Sequence, residues 1–132
     1  MSFELEEVMM SLVISLHHVQ ITVPQGSENA ARDFYCDLLG LREIEKPQKL
    51  LGRGGFWLDL NGTQVHVGTE EGIDRRKTKA HLAYEVGDLD AACRRLESAG
   101  FETSRGSDIP GISRFECRDP FGNRLEFVQR LD

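Results

Sequence analysis

Cysteine is scarce in this sequence of 132 residues, and no two cysteines form a C-x-x-C pair. The three that are present, Cys36, Cys93 and Cys117, each lie among apolar neighbours. A chain of this length can form a core without disulfide staples, and an odd number of cysteines is typical of buried free thiols. We therefore expect a single domain in the reducing cytoplasm.

Long apolar runs and an excess of basic residues are also absent. No stretch approaches the length of a membrane span, and residues 1–14 begin with an acidic run, unlike the basic start of a secretory signal. Lys and Arg number 16 against 22 Asp and Glu, which gives a net charge of -6. Because nucleic acids and anionic membranes favour a basic face, neither is an expected partner. Residues 1–14 are predicted to be an extension that packs on the domain or on a neighbouring molecule.

The rest of the chain repeats a series of landmarks in the same order. In each half a histidine opens a strand pattern, in HVQITV and in HLAYEV. A helix with an Ala-Ala step follows and stops at a glycine, and a glycine-containing hairpin turn precedes the last strand. Corresponding landmarks lie sixty positions apart: Gly40 and Gly100, Gly62 and Gly122, and His66 and Glu126.

Each half therefore predicts a β-α-β-β-β module, one within about 15–70 and the other within about 78–130, in a single domain over 15–132. Ser27 and Asp88 are the predicted helix caps, because their side chains accept free backbone N–H groups. The predicted strands are 16–23, 41–45, 55–60 and 63–68, then 80–86, 102–105, 112–118 and 123–129, with helices at 28–39 and 89–99.

Alternation along the strands sorts the side chains onto two faces. The apolar set of each strand is expected to face the helices, which leaves polar side chains on the opposite face. That face carries His18, His66, His81 and Glu126. Neutral imidazoles and a carboxylate around one open centre suit a divalent transition metal such as Ni, Fe, Zn, Co or Mn.

Each of these residues also has an ordinary alternative role. A lone histidine on a polar strand face is more often solvated or hydrogen-bonded than a metal ligand. For Glu126, the default is an ion pair with Arg114 or Arg124. The metal hypothesis depends on the coincidence of four competent ligands at positions related by the repeat.

The motifs HHVQITV, FYCDLLGL, QVHVG, AHLAYEVGDLDA and RDPFGNRLEFVQ resemble those of the vicinal oxygen chelate superfamily, which contains glyoxalase I, extradiol dioxygenases and bleomycin-resistance proteins. The resemblance extends from Leu16 to Gln129. It implies an α+β fold in which two β-α-β-β-β modules form a curled eight-stranded mixed sheet. This sheet is a cup around a metal, with the helices on its outer face. Relatives build the cup within one chain or share it across a dimer, and a homodimer is expected here.

The resemblance to glyoxalase I implies a metal-ligand set drawn from the first and last strand of each module. Glyoxalase I has a carboxylate at the position that His66 holds here. The resemblance to extradiol dioxygenases and thiol transferases implies a reduced ligand set of His18, His81 and Glu126. In that case His66 would line the pocket instead of binding the metal. The full set that glyoxalase I implies is His18, His66, His81 and Glu126.

We therefore expect a glyoxalase-like lyase or isomerase whose small substrate binds one divalent metal through adjacent oxygens. Glu126 is the candidate base, with Glu116 and Glu85 as alternatives. Arg114 is a candidate for holding a substrate carboxylate or phosphate, and Trp57 for walling the pocket. Two other functions stay open: an extradiol-type ring-cleaving dioxygenase, and a non-catalytic protein that binds a drug or metabolite.

Overall fold

The computed structural model of the protein describes residues 11–131. Eight strands and two main helices follow one another in two runs of β-α-β-β-β, so the α+β fold of paired modules is confirmed. The strands are β1 (His18–Val23), β2 (Arg42–Ile44), β3 (Phe56–Leu60), β4 (Thr63–Thr69), β5 (His81–Glu85), β6 (Ser104–Arg105), β7 (Ile112–Arg118) and β8 (Arg124–Arg130).

The strands form two four-stranded mixed sheets with the same topology. The order is β1-β4-β3-β2 in the first sheet and β5-β8-β7-β6 in the second. In each sheet the first and last strands of the module, β1 with β4 and β5 with β8, pair in parallel, and the other pairs are antiparallel. The landmarks that repeat in the sequence therefore mark a repeat in topology.

Helices connect the first and second strands of each module. Helix α1 (Glu28–Arg32) continues as a wider π-helical segment (Asp33–Leu38), and helix α2 (Leu89–Ser98) is regular throughout. Shorter 3-10 turns lie at Gln48–Arg53 and Arg75–Lys77. None of the helices in residues 11–131 is long and apolar enough to cross a bilayer.

The two helix starts differ in how they are capped. The Asp88 carboxylate accepts a hydrogen bond from the Ala91 N–H at 3.0 Å, as predicted. Ser27 makes no side-chain capping bond to α1, so that prediction was wrong. Both helices are followed by a glycine with positive φ, +85° at Gly40 and +93° at Gly100, which agrees with the predicted helix ends.

A single apolar core lies between the sheets and helices of the two modules. Alternation is clear in β3, where Phe56 and Leu58 are buried and Trp57 points to the opposite face. Phe34 of the first module packs edge to face on Phe101 of the second, with ring centroids 5.0 Å apart. This aromatic contact joins the two modules within one core.

A buried polar network also joins the two halves. Asp119, in the turn before β8, accepts a hydrogen bond from the Tyr35 hydroxyl at 2.7 Å. The carbonyl of Thr22 accepts hydrogen bonds from the Asn123 side chain at 2.9 Å and the Arg75 side chain at 2.7 Å. These contacts fix the end of β1 beside the start of the second module's last strand.

All three cysteines are free; Cys117 is buried, whereas Cys36 and Cys93 are half-buried. Burial raises the pKa of Cys117 to about 12, so this thiol stays protonated. Residues 1–10 of the predicted extension lie outside the described residues, and 11–14 are exposed.

Candidate metal centre

Two of the predicted ligands meet on the polar face of the first sheet. His18 opens β1, and His66 lies in β4, which pairs directly with β1. Their imidazole rings are stacked, with centroids 4.2 Å apart and planes inclined by 14°. Since β4 lies between β1 and β3, His66 is also stacked on Trp57, at 3.9 Å and 2°.

The stack changes the acid–base behaviour of His66. Its side chain is buried, and burial together with the neighbouring His18, His17 and Lys46 lowers its pKa from 6.5. His66 is therefore neutral at pH 7, which is the form that binds a metal. Its Nε2 atom lies 2.8 Å from the Gln64 amide oxygen, and this hydrogen bond must break before Nε2 can bind an ion.

The other two predicted ligands meet on the second sheet. The Nδ1 atom of His81 lies 2.9 Å from the Lys79 carbonyl oxygen and donates to it, which leaves the lone pair of a neutral imidazole on Nε2. That Nε2 atom lies 3.2 Å from Oε1 of Glu126, whose side chain is buried. Two acceptors facing each other need a cation, either a proton on Nε2 or a metal ion. A carbonyl that fixes the outer nitrogen is typical of metal-binding histidines.

Arg114 lies on Glu126, which was one of its two expected roles. Its guanidinium is 3.3 Å from Oε1 of Glu126, and its Nε donates to the Ser107 carbonyl at 3.1 Å. The pairing has a local cause, because Glu116 and Glu126 are directly opposite in β7 and β8 and repel each other. Arg124 pairs with Glu116, and Arg114 with Glu126.

Glu85, the other alternative base, pairs on the surface with Arg130 at 2.9 Å. Its carboxylate is about half exposed, which is typical of a solvated ion pair. Glu126 is therefore the most buried of the three acids considered as a base.

The four predicted ligands form two pairs in this chain. Across residues 11–131, no group of three or more His, Cys, Asp and Glu side chains is arranged to hold a metal ion. The donors themselves fit a divalent transition metal: a neutral buried imidazole, an imidazole oriented by a carbonyl, and a buried carboxylate. Since such metals take three or four protein ligands, neither pair is sufficient by itself.

A cavity of about 490 Å³ adjoins the first pair. Trp57 lines it, and Lys46 and Arg53 from the connection between β2 and β3 also line it. Sequence reasoning missed these two cations, because that connection has no periodicity that would assign its side chains to a face. Sequence reasoning also missed Gln64, the partner of His66, although strand alternation places the two on the same face.

The chain is similar to known proteins in family, in sequence and in fold. The model of the Glyoxalase/Bleomycin resistance protein/Dioxygenase superfamily matches residues 15–127. YwkD, an uncharacterised protein of Bacillus subtilis strain 168, is 33% identical over 101 residues, which are 70% of this chain and 77% of YwkD.

Solved structures give the same result. The crystal structure of a protein assigned to the glyoxalase family from Bacillus anthracis has a TM-score of 0.84 and 36% identity, covering 92% of this chain and 98% of its own. TnmS3, an antibiotic binding protein from Streptomyces sp. CB03234, has a TM-score of 0.68 and 19% identity, covering 92% and 99%. The second likeness shows the fold alone.

Proposed function

We propose that this chain, which belongs to the Glyoxalase/Bleomycin resistance protein/Dioxygenase superfamily, is a metal-dependent lyase or isomerase. Members of the superfamily typically use a divalent metal and bind small molecules. The proposed substrate is a small molecule that chelates the metal through adjacent oxygens. The proposed metal ligands are His18, His66, His81 and Glu126, and the proposed setting is a cytoplasmic homodimer.

The contact between His81 and Glu126 carries the proposal. Their facing atoms are 3.2 Å apart, and the Lys79 carbonyl holds the imidazole so that a lone pair points at the carboxylate. In a solvated surface pair neither group would need such a fixed orientation. Glu126 is also buried; Arg114 balances its charge, and the facing lone pairs of His81 and Glu126 still need a metal ion or a proton between them.

The division of the ligands into two pairs supports a shared site. Each pair lies on the polar face of its own sheet, and the two sheets have the same topology. In the proposed dimer, His18 and His66 of one protomer face His81 and Glu126 of the partner subunit. The second pair of this chain then completes the partner's site, so one dimer holds two metal ions. A symmetric two-fold interface produces such pairing without further elements.

The residues of the chain would perform the chemistry as follows. A divalent metal held by His18, His66, His81 and Glu126 would supply Lewis-acid stabilisation of negative charge on the substrate oxygens. Glu126 would accept the proton from the carbon next to a carbonyl of the substrate. Arg114 stays beside Glu126 and holds the carboxylate in the orientation for this transfer. Trp57 covers one side of the bound substrate and excludes water from it.

Metal titration tests the proposal directly. Protein purified without added metal is titrated calorimetrically with Ni²⁺, Zn²⁺ and Co²⁺, and we expect one ion per chain. His18→Ala and Glu126→Ala should each weaken binding by more than about 100-fold, beyond the loss expected for a supporting residue. Glu85→Ala is the matched control for Glu126→Ala, since it removes a surface carboxylate that pairs with Arg130, and it should retain metal. Equal affinity in all three variants would refute the ligand assignment.

A non-catalytic ligand-binding protein is the second candidate, and one contact favours it. Arg114 already supplies a positive charge to Oε1 of Glu126, and a proton on Nε2 of His81 would complete the hydrogen bonds of this carboxylate without a metal. TnmS3, which shares the fold, is described as an antibiotic binding protein. If the calorimetric titration detects no metal at all, this second function replaces the first.

A further inference from the structure

The charged side chains that line the cavity beside His18 and His66 are opposite in sign to the net charge of the whole chain. The protein carries a net charge of -6, yet the charged residues that line this cavity, Lys46 and Arg53, are both basic. No Asp or Glu of the described residues is among those lining it. A cavity with low-dielectric walls and charges of one sign concentrates ligands of the opposite sign.

The Lys46 ammonium is held at the cavity by a rigid connection. Its Nζ atom donates to the Gly54 carbonyl at 2.7 Å, which leaves two of its three N–H donors for a ligand. The next residue, Gly55, has φ +81°, and a Cβ there would lie 2.1 Å from the Val67 carbonyl oxygen of β4. The connection therefore rests directly on the sheet and keeps the cation beside the ring stack.

Acidic groups lie near the same connection: Glu43 and Glu45 line a neighbouring cavity that Lys46 also borders, and Glu28 contacts Gly55. Oε2 of Glu28 accepts a hydrogen bond from the Gly55 N–H at 3.3 Å. Glu28 does not line the cavity, so its carboxylate leaves the surface that a ligand would contact basic.

We infer that this cavity binds an anionic group of the substrate, a carboxylate or a phosphate, and that Lys46 is the residue that selects it, with Arg53 nearer the solvent. The inference rests on the proposed function, because the anionic group is a second one, separate from the oxygens that chelate the metal. Arg114 was the candidate for binding a substrate anion, but its guanidinium donates a hydrogen bond to the Glu126 carboxylate. The volume of about 490 Å³ suits a small ligand.

The chain has a single tryptophan, and it lies in this cavity. The emission of Trp57 therefore reports ligand binding here without any label. We would titrate the full-length, metal-free protein with inorganic phosphate and, separately, with malonate at constant ionic strength. Three variants would be compared with the unaltered protein: Lys46→Gln, Lys46→Arg and Lys49→Gln.

We expect a saturable change in emission for at least one anion. Lys46→Gln should raise its Kd at least about tenfold, the loss expected for one hydrogen bond to a charged group. Lys46→Arg should recover most of the affinity. Lys49→Gln removes the same charge from the neighbouring 3-10 turn, outside the cavity lining, and should leave Kd within about twofold. The anion that binds more tightly identifies the substrate as a phosphate or a carboxylate compound.

Absence of saturable binding of either anion, or equal Kd values in Lys46→Gln and Lys49→Gln, would overturn the inference. Near-ultraviolet circular dichroism of each variant excludes a loss of folding as the cause. Metal titration of the same proteins separates the two proposals. If the protein takes up metal but its anion binding does not depend on Lys46, only this inference is overturned. If anion binding depends on Lys46 but the protein takes up no metal, this inference is supported and the metal centre is refuted.

Discussion

At the scale of single residues, the site is dominated by titratable side chains that are shielded from solvent. His66 is packed between His18 and Trp57, which shields it from water and makes its protonated form unfavourable. Glu126 is buried beside Arg114 and His81, which supply compensating donors. A neutral base on one sheet and a carboxylate on the other are the two kinds of donor that a divalent metal combines.

The depressed pKa of His66 predicts a pH-dependent stability. The unfolded chain binds a proton at this position near pH 6.5, whereas the folded chain binds it only at lower pH, because burial and nearby cations lower the pKa. The free energy of unfolding should therefore fall as the pH decreases below 6.5 towards the folded-state pKa. Urea denaturation of the metal-free protein at several pH values measures this. The His66→Gln variant should lose less stability between pH 6.5 and lower pH than the unaltered protein does. The same pH dependence in both proteins would contradict the assignment of this effect to His66.

At the scale of elements, local patterns predicted most of the fold. Strand alternation, the glycines after the helices and the hairpin turns are properties of short segments, and the observed element ends lie within two residues of the predicted ones. The Ser27 cap failed because capping depends on the local approach of one hydroxyl to a free N–H, which composition does not specify. The contact of Trp57 with His66 was missed, although the two-residue Asn61-Gly62 turn fixes the register of β3 against β4 that places them opposite each other.

The connection before β3 provides a prediction about Gly55. Gly55→Ala should destabilise the protein by about 2 kcal/mol or more, because alanine is strained at positive φ and its Cβ would collide with the Val67 carbonyl. Gly72→Ala is the matched control, since Gly72 has φ +79° but open space around it, and should cost only about 1 kcal/mol. Chemical denaturation measures both. Equal losses would show that the collision is relieved by movement of the connection.

At the scale of the whole molecule, contacts between the modules decide where the two ligand pairs lie. The sequence predicted that four ligands share a polar face, but it contained no signal for how the two sheets are oriented. That orientation depends on long-range contacts such as Tyr35 with Asp119, 84 positions apart, and Phe34 with Phe101. The prediction of a single domain over residues 15–132 stays a prediction, and a single cooperative thermal transition would support it.

A pair of tyrosines tests the network that joins the modules. Tyr35→Phe removes the hydrogen bond to the buried Asp119 carboxylate and should cost about 1.5–3 kcal/mol. Tyr84→Phe removes a buried hydroxyl that has no hydrogen-bond partner among the described residues, so stability should be unchanged or slightly higher. Thermal or urea denaturation compares the two. A larger loss for Tyr84→Phe would mean that its hydroxyl has an important partner.

The most direct test of the shared metal centre is a complementation measurement. One variant lacks the first pair (His18→Ala, His66→Ala), and the other lacks the second pair (His81→Ala, Glu126→Ala). Each is expected to bind no metal when alone. After the two are mixed and allowed to exchange subunits, every mixed dimer should contain one complete site and bind one ion, measured by elemental analysis after desalting. If the mixture exchanges subunits but still binds no metal, the four side chains do not form a centre shared by two chains.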